Sequence, residues 1–178
     1  MADPIVEQIM KKIVTALETI TTANGYAVEV GSGGVWRPKT VEDVDKPGFT
    51  QTHWAQLVED DPTRNEEYSI TNNPARIAWN QPVIIDLVYR PDTESTAPIF
   101  QQIAIFNAEA QIALFGTTAD ADGRTLPDDN AQNQWGGLAL DTEDIDAELF
   151  VDEENNFVGW QKIIMVKYRH KETTPYEQ

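Results

Sequence analysis

Apolar residues recur with helical spacing in two segments of the chain. The first follows Asp3-Pro4, where Asp3 suits the N-cap and Pro4 the first helical position. The pair Asn24-Gly25 is a helix stop signal. The apolar positions between these signals fit the i, i+3, i+4, i+7 rule of an amphipathic helix: Val6, Ile9, Met10, Ile13, Val14, Leu17 and Ile20.

The second helical segment runs from Ile99 to Phe115, and Glu109 is its only charged residue. Further apolar residues widen its stripe, so little of the helix surface is polar. A helix of this composition is buried on more than one side. We therefore expect it to pack against a sheet and, in an assembly, against a neighbouring subunit.

Two long strands are predicted in the middle and near the end of the chain. The first covers residues 76–90, and its run Val83–Tyr89 is almost continuously apolar, which is typical of a strand covered on both faces. Pro82 lacks an N–H, so it marks a strand start, an edge or a bulge. The last strand is predicted over Val158–Tyr168. Alternation puts one set of its side chains on one face: Trp160, Ile164, Val166 and Tyr168, with Ile163 and Met165 opposite.

Shorter strands are predicted elsewhere. Tyr26–Val30 alternates, the glycines within 31–34 turn the chain, and Val35–Arg37 returns as the second arm of a hairpin. His53–Val58 and Tyr68–Thr71 are further candidate strands. The remaining segments are polar and are interpreted as an excursion from the core at 38–66, an irregular acidic stretch at 141–154 and a frayed tail at 171–178.

These elements predict a single domain, since 178 residues fit one core. Helices and strands do not alternate regularly, and no repeat at a fixed period is present. The expected fold is therefore α+β, with a mostly antiparallel or mixed sheet of about four or five strands flanked by two main helices.

Charge and composition exclude several classes of protein. The chain has 13 Lys and Arg against 30 Asp and Glu, a net charge of −17, which opposes non-specific binding of nucleic acid and anionic lipid. The acidity is explained by solubility alone, or by a surface that lets DNA pass without adhering or that meets a basic partner. The absence of Cys excludes disulfides, thiolate metal sites and Cys nucleophiles. No secretory signal and no membrane-spanning segment are expected.

No residue pattern completes a catalytic, cofactor or metal site. His53 and His170 lack partners at metal-ligand spacing, and both are interpreted as surface residues of strands. The glycines at 31–34 lack the Lys-Ser/Thr of a phosphate loop. Residues 118–129 lack the ligand set of a calcium loop, and the acidic run at 143–148 is interpreted as a solvated face. We therefore expect no enzymatic activity.

Five short segments carry a resemblance to a known family. They are Trp-Arg-Pro at 36–38, Val-Tyr-Arg at 88–90 before the apolar helix, Trp-Gly-Gly-Leu-Ala-Leu at 135–140, Val-Lys-Tyr-Arg at 166–169 and Thr-Thr-Pro-Tyr at 173–176. Their layout resembles the tail terminator, or tail completion, proteins of long-tailed bacteriophages, which are minor tail proteins. The resemblance covers most of the chain. The segment 38–66 is longer than the family layout expects.

The resemblance implies a virion structural protein with an α+β fold. Such proteins form a ring, typically a hexamer, on the last ring of the major tail-tube protein. They stop growth of the tube and present a surface to the head connector. The implied location is the head-proximal end of the tail in the virion, and the host cytoplasm during assembly. DNA would pass through the ring without specific binding.

Two alternatives stay open: another neck or head–tail connector protein, and a small acidic enzyme with a carboxylate site. A ring needs apolar surface beyond the monomer core, and hairpins and excursions reach neighbouring subunits. The candidate assembly contacts on this reasoning are Gly33, Val35, Trp36, Trp54, Leu57 and Trp135. We expect Trp54→Ala to weaken assembly before it weakens folding.

Overall fold

A computed structural model describes residues 3–38, 50–71, 75–91, 98–116, 135–154 and 156–171, together with Pro175. In these residues two α-helices and a six-stranded mixed sheet form an α+β fold, which confirms the predicted class. The elements are α1 (Ile5–Glu18), a 3-10 helix (Thr22–Asn24), β1 (Val35–Trp36), β2 (His53–Glu59), β3 (Thr63–Ile70), β4 (Arg76–Tyr89), α2 (Ile99–Phe115), β5 (Ala139–Asp152) and β6 (Phe157–Lys171). Neither described helix has the length and apolar character needed to cross a membrane.

The sheet has the order β1-β2-β4-β6-β5, and β3 also pairs with β4. Only the β1–β2 pair is parallel among the described pairs. Strands β2 and β3 follow each other along one edge of β4, because Glu59 pairs with Val83 and Thr63 with Asn80. Pro82 lies opposite the interruption between them. Its missing N–H therefore costs no strand pairing on that side, and the continuous register with β6 shows no bulge at Pro82.

Both helices pack on the same face of the sheet. A single core joins them to alternate strand residues, among them Ala55, Leu57, Ile85, Leu87 and Ile164. We call this the helix-covered face. The residues between these positions point to the other side, which we call the helix-free face because no described helix lies on it.

The helix-free face is half-buried along its centre. Its central row is Val58, Ile84 and Ile163, which lie opposite one another in the register of β2, β4 and β6. The prediction that Val83–Tyr89 is covered on both faces is therefore wrong for the part of the strand at Ile84 and Asp86. Their alternate neighbours are buried by the helices, whereas these two keep partial exposure.

The start of α1 differs from the prediction. Pro4 occupies the N-cap position and no side chain caps the helix. The Asp3 carboxylate instead accepts a hydrogen bond from Lys11 Nζ at 2.6 Å. The helix ends at Glu18, because the threonines that follow are weak helix formers. Gly25 closes the 3-10 turn with a φ of 87°, a left-handed conformation that glycine adopts without strain.

The predicted hairpin of Tyr26–Val30 with Val35–Arg37 is wrong. Residues 26–30 form no strand, although the alternation that suggested one is real, since Tyr26, Val28 and Val30 all enter the core. Val30 N donates to the carbonyl of Ile20 at 2.8 Å, which ties this segment to the end of α1. Strand β1 pairs in parallel with β2 instead.

The excursion predicted at 38–66 is wrong for residues 53–66. Strand β2 lies between β1 and β4, and its Ala55 and Leu57 belong to the core. Residues 39–49 lie outside the described ranges. The irregular acidic stretch predicted at 141–154 is also wrong, because residues 139–152 form strand β5. β5 is an edge strand, and charged side chains on an edge discourage pairing with other chains.

Two residues of the tail predicted at 171–178 lie within the described part of the chain, Lys171 and Pro175. Lys171 is the last residue of β6, so the final strand extends beyond the predicted end at Tyr168. The carbonyl of Pro175 accepts a hydrogen bond from Ile5 N at 3.0 Å. The other residues of the predicted frayed tail, and the loop weighed as a calcium site at 118–129, lie outside the described residues.

Candidate assembly surfaces

Three of the six candidate contacts lie at the surface or partly exposed. Gly33 is exposed and has a φ of 78°; its N–H donates to Glu18 Oε1 at 2.7 Å, which holds the glycine loop against α1. Val35 packs against the core from the helix-covered face. Trp36 is half-buried and pairs with Gln56 in the β1–β2 register, which puts it on the helix-free face.

The other three candidate contacts are buried within the chain. Trp54 is 4% exposed and packs edge-to-face against Phe157, with ring centroids 6.3 Å apart. Leu57 belongs to the core beneath the helices. Trp135 is also buried, and its Nε1 donates to Thr142 Oγ1 at 2.8 Å. Side chains so buried have no surface left for a neighbouring subunit, so these three residues are structural.

The Trp-Gly-Gly-Leu segment has a conformational role at the entry to β5. Trp135 has a φ of 50°, and Gly136 and Gly137 have φ values of 71° and 83°. Three successive left-handed residues turn the chain sharply, and glycine at two of them reduces the steric cost. The turn drives the Trp135 ring into the core while leading the backbone into the edge strand.

The exposed side of α2 carries no charge. Glu109, the only charged residue of this helix, is buried and accepts a hydrogen bond from Ala27 N at 3.1 Å. The outward-facing positions include Phe100, which is 61% exposed, and Ala104 and Ala108. An uncharged exposed helix face is unexpected on a chain with a net charge of −17. That a neighbouring subunit covers part of this helix stays a prediction.

A groove of about 230 Å³ lies where α2 begins and the β5–β6 turn passes. Its apolar wall includes Ile99, Phe100 and Val151, and all three are exposed. Asp152 and Glu153 contribute acidic groups to its lining, and Glu154 follows in the same turn. We call this site the end groove.

A second surface with exposed apolar residues lies at the far end of the sheet. Ile70 pairs with Arg76, and Arg76 pairs with Lys171 in the register of β3, β4 and β6. Arg169 lies two residues before Lys171, on the same side of β6. Tyr68 is close enough to Lys167 to contribute to the raised pKa of that lysine, whose main cause is the hydrogen bond to Glu143. We call the set Tyr68, Ile70, Arg76, Arg169 and Lys171 the hairpin patch.

The two histidines are more buried than predicted. His53 is 7% exposed and lies between the rings of Tyr89 and Phe106. Burial lowers the pKa of His53 to about 4, and its Nε2 has no hydrogen-bond partner among the described residues. His170 is half-buried and its Nε2 accepts a hydrogen bond from Trp79 Nε1 at 3.0 Å. Both are packed structural residues.

The acidic run at 143–148 is exposed along its whole length, which agrees with the predicted solvated face, and two of its carboxylates form ion pairs. Asp144 pairs with the buried Lys162 at 2.9 Å, and Glu143 pairs with Lys167. Asp146 and Glu148 are exposed on the edge strand. Over the described ranges, no three side chains of the His, Asp or Glu type come together as a group that could hold a metal ion.

Sequence reasoning missed the end groove and the hairpin patch. The uncharged stretch of α2 was a usable signal for the groove. Val151 gave no signal, because the stretch around it was interpreted as irregular. The cations at 167–171 were noticed, but their position beside Tyr68 and Ile70 depends on the register between β3, β4 and β6.

No family model and no curated protein matches this chain. A functional assignment therefore depends on the layout of the sequence and on the surfaces described above.

Proposed function

We propose that this protein is a virion structural protein that assembles as a ring, caps the phage tail tube, stops tube polymerisation and provides the surface for head–tail joining. Its partners are copies of itself, the major tail-tube protein and the head connector, at the head-proximal end of the tail. The sequence layout supports the choice of family. The uncharged exposed side of α2, continuing into the end groove, carries the argument for assembly.

Exposed aromatic and aliphatic side chains favour association because contact removes them from water. Phe100, Ile99 and Val151 belong to one continuous region rather than being scattered singly. Isolated exposed apolar residues need no explanation, whereas a contiguous apolar patch marks an interaction site. Covering one large apolar side chain contributes on the order of 1.5–3 kcal/mol when it becomes fully buried. This region is therefore suited to bind another protein surface.

Passage of DNA through the ring agrees with the charge of the chain. Asp146 and Glu148 project from the edge strand β5 into solvent. Carboxylates lining a channel repel phosphates, so DNA would move past them without adhering. A ring whose lumen is basic would contradict this part of the proposal.

Deleting the gene from the genome that carries it tests the function. We expect tail tubes of irregular, excessive length that do not join heads, measured by electron microscopy of lysates. Complementation with the wild-type chain should restore both length and joining. Tails of controlled length that still join heads would contradict the proposal.

The same experiment separates this function from that of another neck protein. A connector acts after the tube has been terminated. Its loss would leave tails of normal length that fail to join heads. Tube length, and not joining alone, is therefore the decisive measurement.

A further inference from the structure

We infer that neighbouring copies of this chain join head to tail, with the hairpin patch of one copy seated in the end groove of the next. The inference rests on the proposed function, because it identifies the surfaces through which the ring would close. It follows from the positions, the apolar character and the charges of the two surfaces.

The two surfaces lie at opposite ends of the sheet. Arg76 begins β4 in the hairpin patch, and Tyr89 ends the same strand beside Val158 of the end groove. A strand of this length spans about 43 Å at about 3.3 Å per residue. One molecule therefore cannot bring its own patch to its own groove. Contact between different patches on successive copies is heterologous, and such a contact forms a ring when its rotation closes.

Each surface offers the other exposed apolar side chains. The hairpin patch presents Tyr68 at 43% and Ile70 at 40% exposure, and the groove presents Val151 at 56% beside Phe100 and Ile99. An aromatic side chain entering an apolar groove is the usual centre of a protein interface. Tyr68 supplies such a side chain, with a hydroxyl that can stay at the polar rim.

The charges of the two surfaces are opposite. The groove and its adjoining turn carry Asp152, Glu153 and Glu154. The hairpin patch carries three cations, and Arg76 lies directly across from Lys171. The acidic turn of a second copy provides an anionic surface that would attract these cations.

Among the described residues, the acidic groups near the hairpin patch do not reverse its sign. Glu66 pairs with Arg64 at 3.1 Å, and Glu143 pairs with Lys167. Glu67 is exposed nearby. These carboxylates, and the net charge of −17, favour a protein partner over a nucleic acid, whose phosphates they repel.

Charge reversal of each surface tests the contact. The groove variant is Glu153→Lys with Glu154→Lys, and the patch variant is Arg76→Glu with Arg169→Glu. We expect each to dissociate the assembly at least about tenfold more readily than wild type, because like charges then face each other. Mass photometry over a concentration series measures this. Asp60→Lys with Asp61→Lys is the matched control, since both residues are exposed and lie in neither surface.

A mixture of the two variants gives the decisive result. The wild-type groove of the patch variant meets the wild-type patch of the groove variant, and the two reversed surfaces also attract each other. Alternating assembly should therefore return on mixing. The inference would be overturned if the charge-reversed variants still assemble alone. It would also be overturned if they fail to assemble when they are mixed.

A neutral variant covers the case in which a charge-reversed chain does not fold. Phe100→Ser changes an exposed residue in the first turn of α2, so folding should be preserved while assembly weakens. Unfolding midpoints in urea identify variants that are misfolded. If the Phe100→Ser chain assembles as readily as wild type, the hairpin patch does not sit in the end groove.

Failure of this inference is distinguishable from failure of the proposed function. A wild-type chain that stays monomeric, or rings that tolerate every reversal, overturn the inference, while tube length after gene deletion still tests the function. Binding of duplex DNA that is lost in the patch variant would also overturn it, since the patch would then serve nucleic acid.

Discussion

The two faces of the sheet put neighbouring residues of one strand into different environments. Ile85 is fully buried under the helices, whereas Ile84 faces the helix-free side and keeps partial exposure. Ile164 and Ile163 of β6 repeat the contrast. The sequence of either strand contains no difference between the two isoleucines. Their fates differ because both helices pack on the same side.

Ionisable groups show the same contrast with opposite signs. On the helix-covered face, burial lowers the pKa of His53 to about 4. On the helix-free face, burial raises the pKa of Asp86, and its hydrogen bond with Gln161 opposes the shift. In both cases removal from water disfavours the charged form. Partial burial of the helix-free face is thus enough to affect a carboxylate.

Trp54 is the strongest test of the comparison, because it lies on the helix-free face and is nevertheless buried. Trp54→Ala should lower the free energy of unfolding by about 4 kcal/mol, as expected for removal of a buried Trp. Trp36→Ala on the neighbouring strand is the control and should cost about 1 kcal/mol. Urea unfolding followed by circular dichroism measures both. If Trp54→Ala left stability unchanged but prevented assembly, Trp54 would be an assembly contact, as the sequence predicted.

Substituting Ile85 and Ile84 in turn compares the two faces of the sheet directly. Ile85→Ala should cost about 3 kcal/mol through lost burial and a residual cavity. Ile84→Ala should cost about 1 kcal/mol, because its side chain is already partly in water. Unfolding at low protein concentration keeps assembly from contributing. Equal costs would mean that the helix-free face is as fully covered as the other.

His53 predicts a pH dependence. Its folded pKa of about 4 lies below the ordinary 6.5, so the unfolded chain takes up this proton first as pH falls. The contribution of His53 to the free energy of unfolding is therefore fully present above pH 6.5 and is lost as the pH falls from 6.5 to 4. From pH 7.5 to 5, wild type should lose about 2 kcal/mol more than His53→Gln. Carboxylates titrate in both chains, so the difference isolates His53. Parallel pH profiles would contradict the buried neutral state.

Asp86 should give the smallest effect. Its raised pKa means that the folded chain holds this proton more tightly than the unfolded chain, so its contribution to stability falls as pH rises through these values. Asp86→Asn removes the charge and can still accept the hydrogen bond from Gln161. Stability at pH 7 should increase, and the gain should vanish in acid below the ordinary pKa of 3.8. Destabilisation at pH 7 would show that the carboxylate makes a favourable contact.

The periodicity of apolar residues predicted the elements that bury one regular face against the core. The bounds of α2 agree with the predicted Ile99–Phe115, and the alternation of Trp160, Ile164, Val166 and Tyr168 matches the helix-covered face of β6. Edge strand β5 escaped prediction, because exposed acidic residues and two register shifts obscure its period of two. Burial of Trp54 and His53 also escaped it, because neither residue reveals which neighbours will cover it.

The sequence by itself determined the α+β class, the two helices, the strands β4 and β6 and the acidity. Only the tertiary structure decided which tryptophans belong to the core and that β2 is an inner strand. It also decided that exposed apolar residues lie at both ends of the sheet, beside cations at one end and beside carboxylates at the other. Periodicity depends on residues close in the chain, so sequence records it. Tyr68, Arg76 and Lys171 become one surface only through pairing between distant strands.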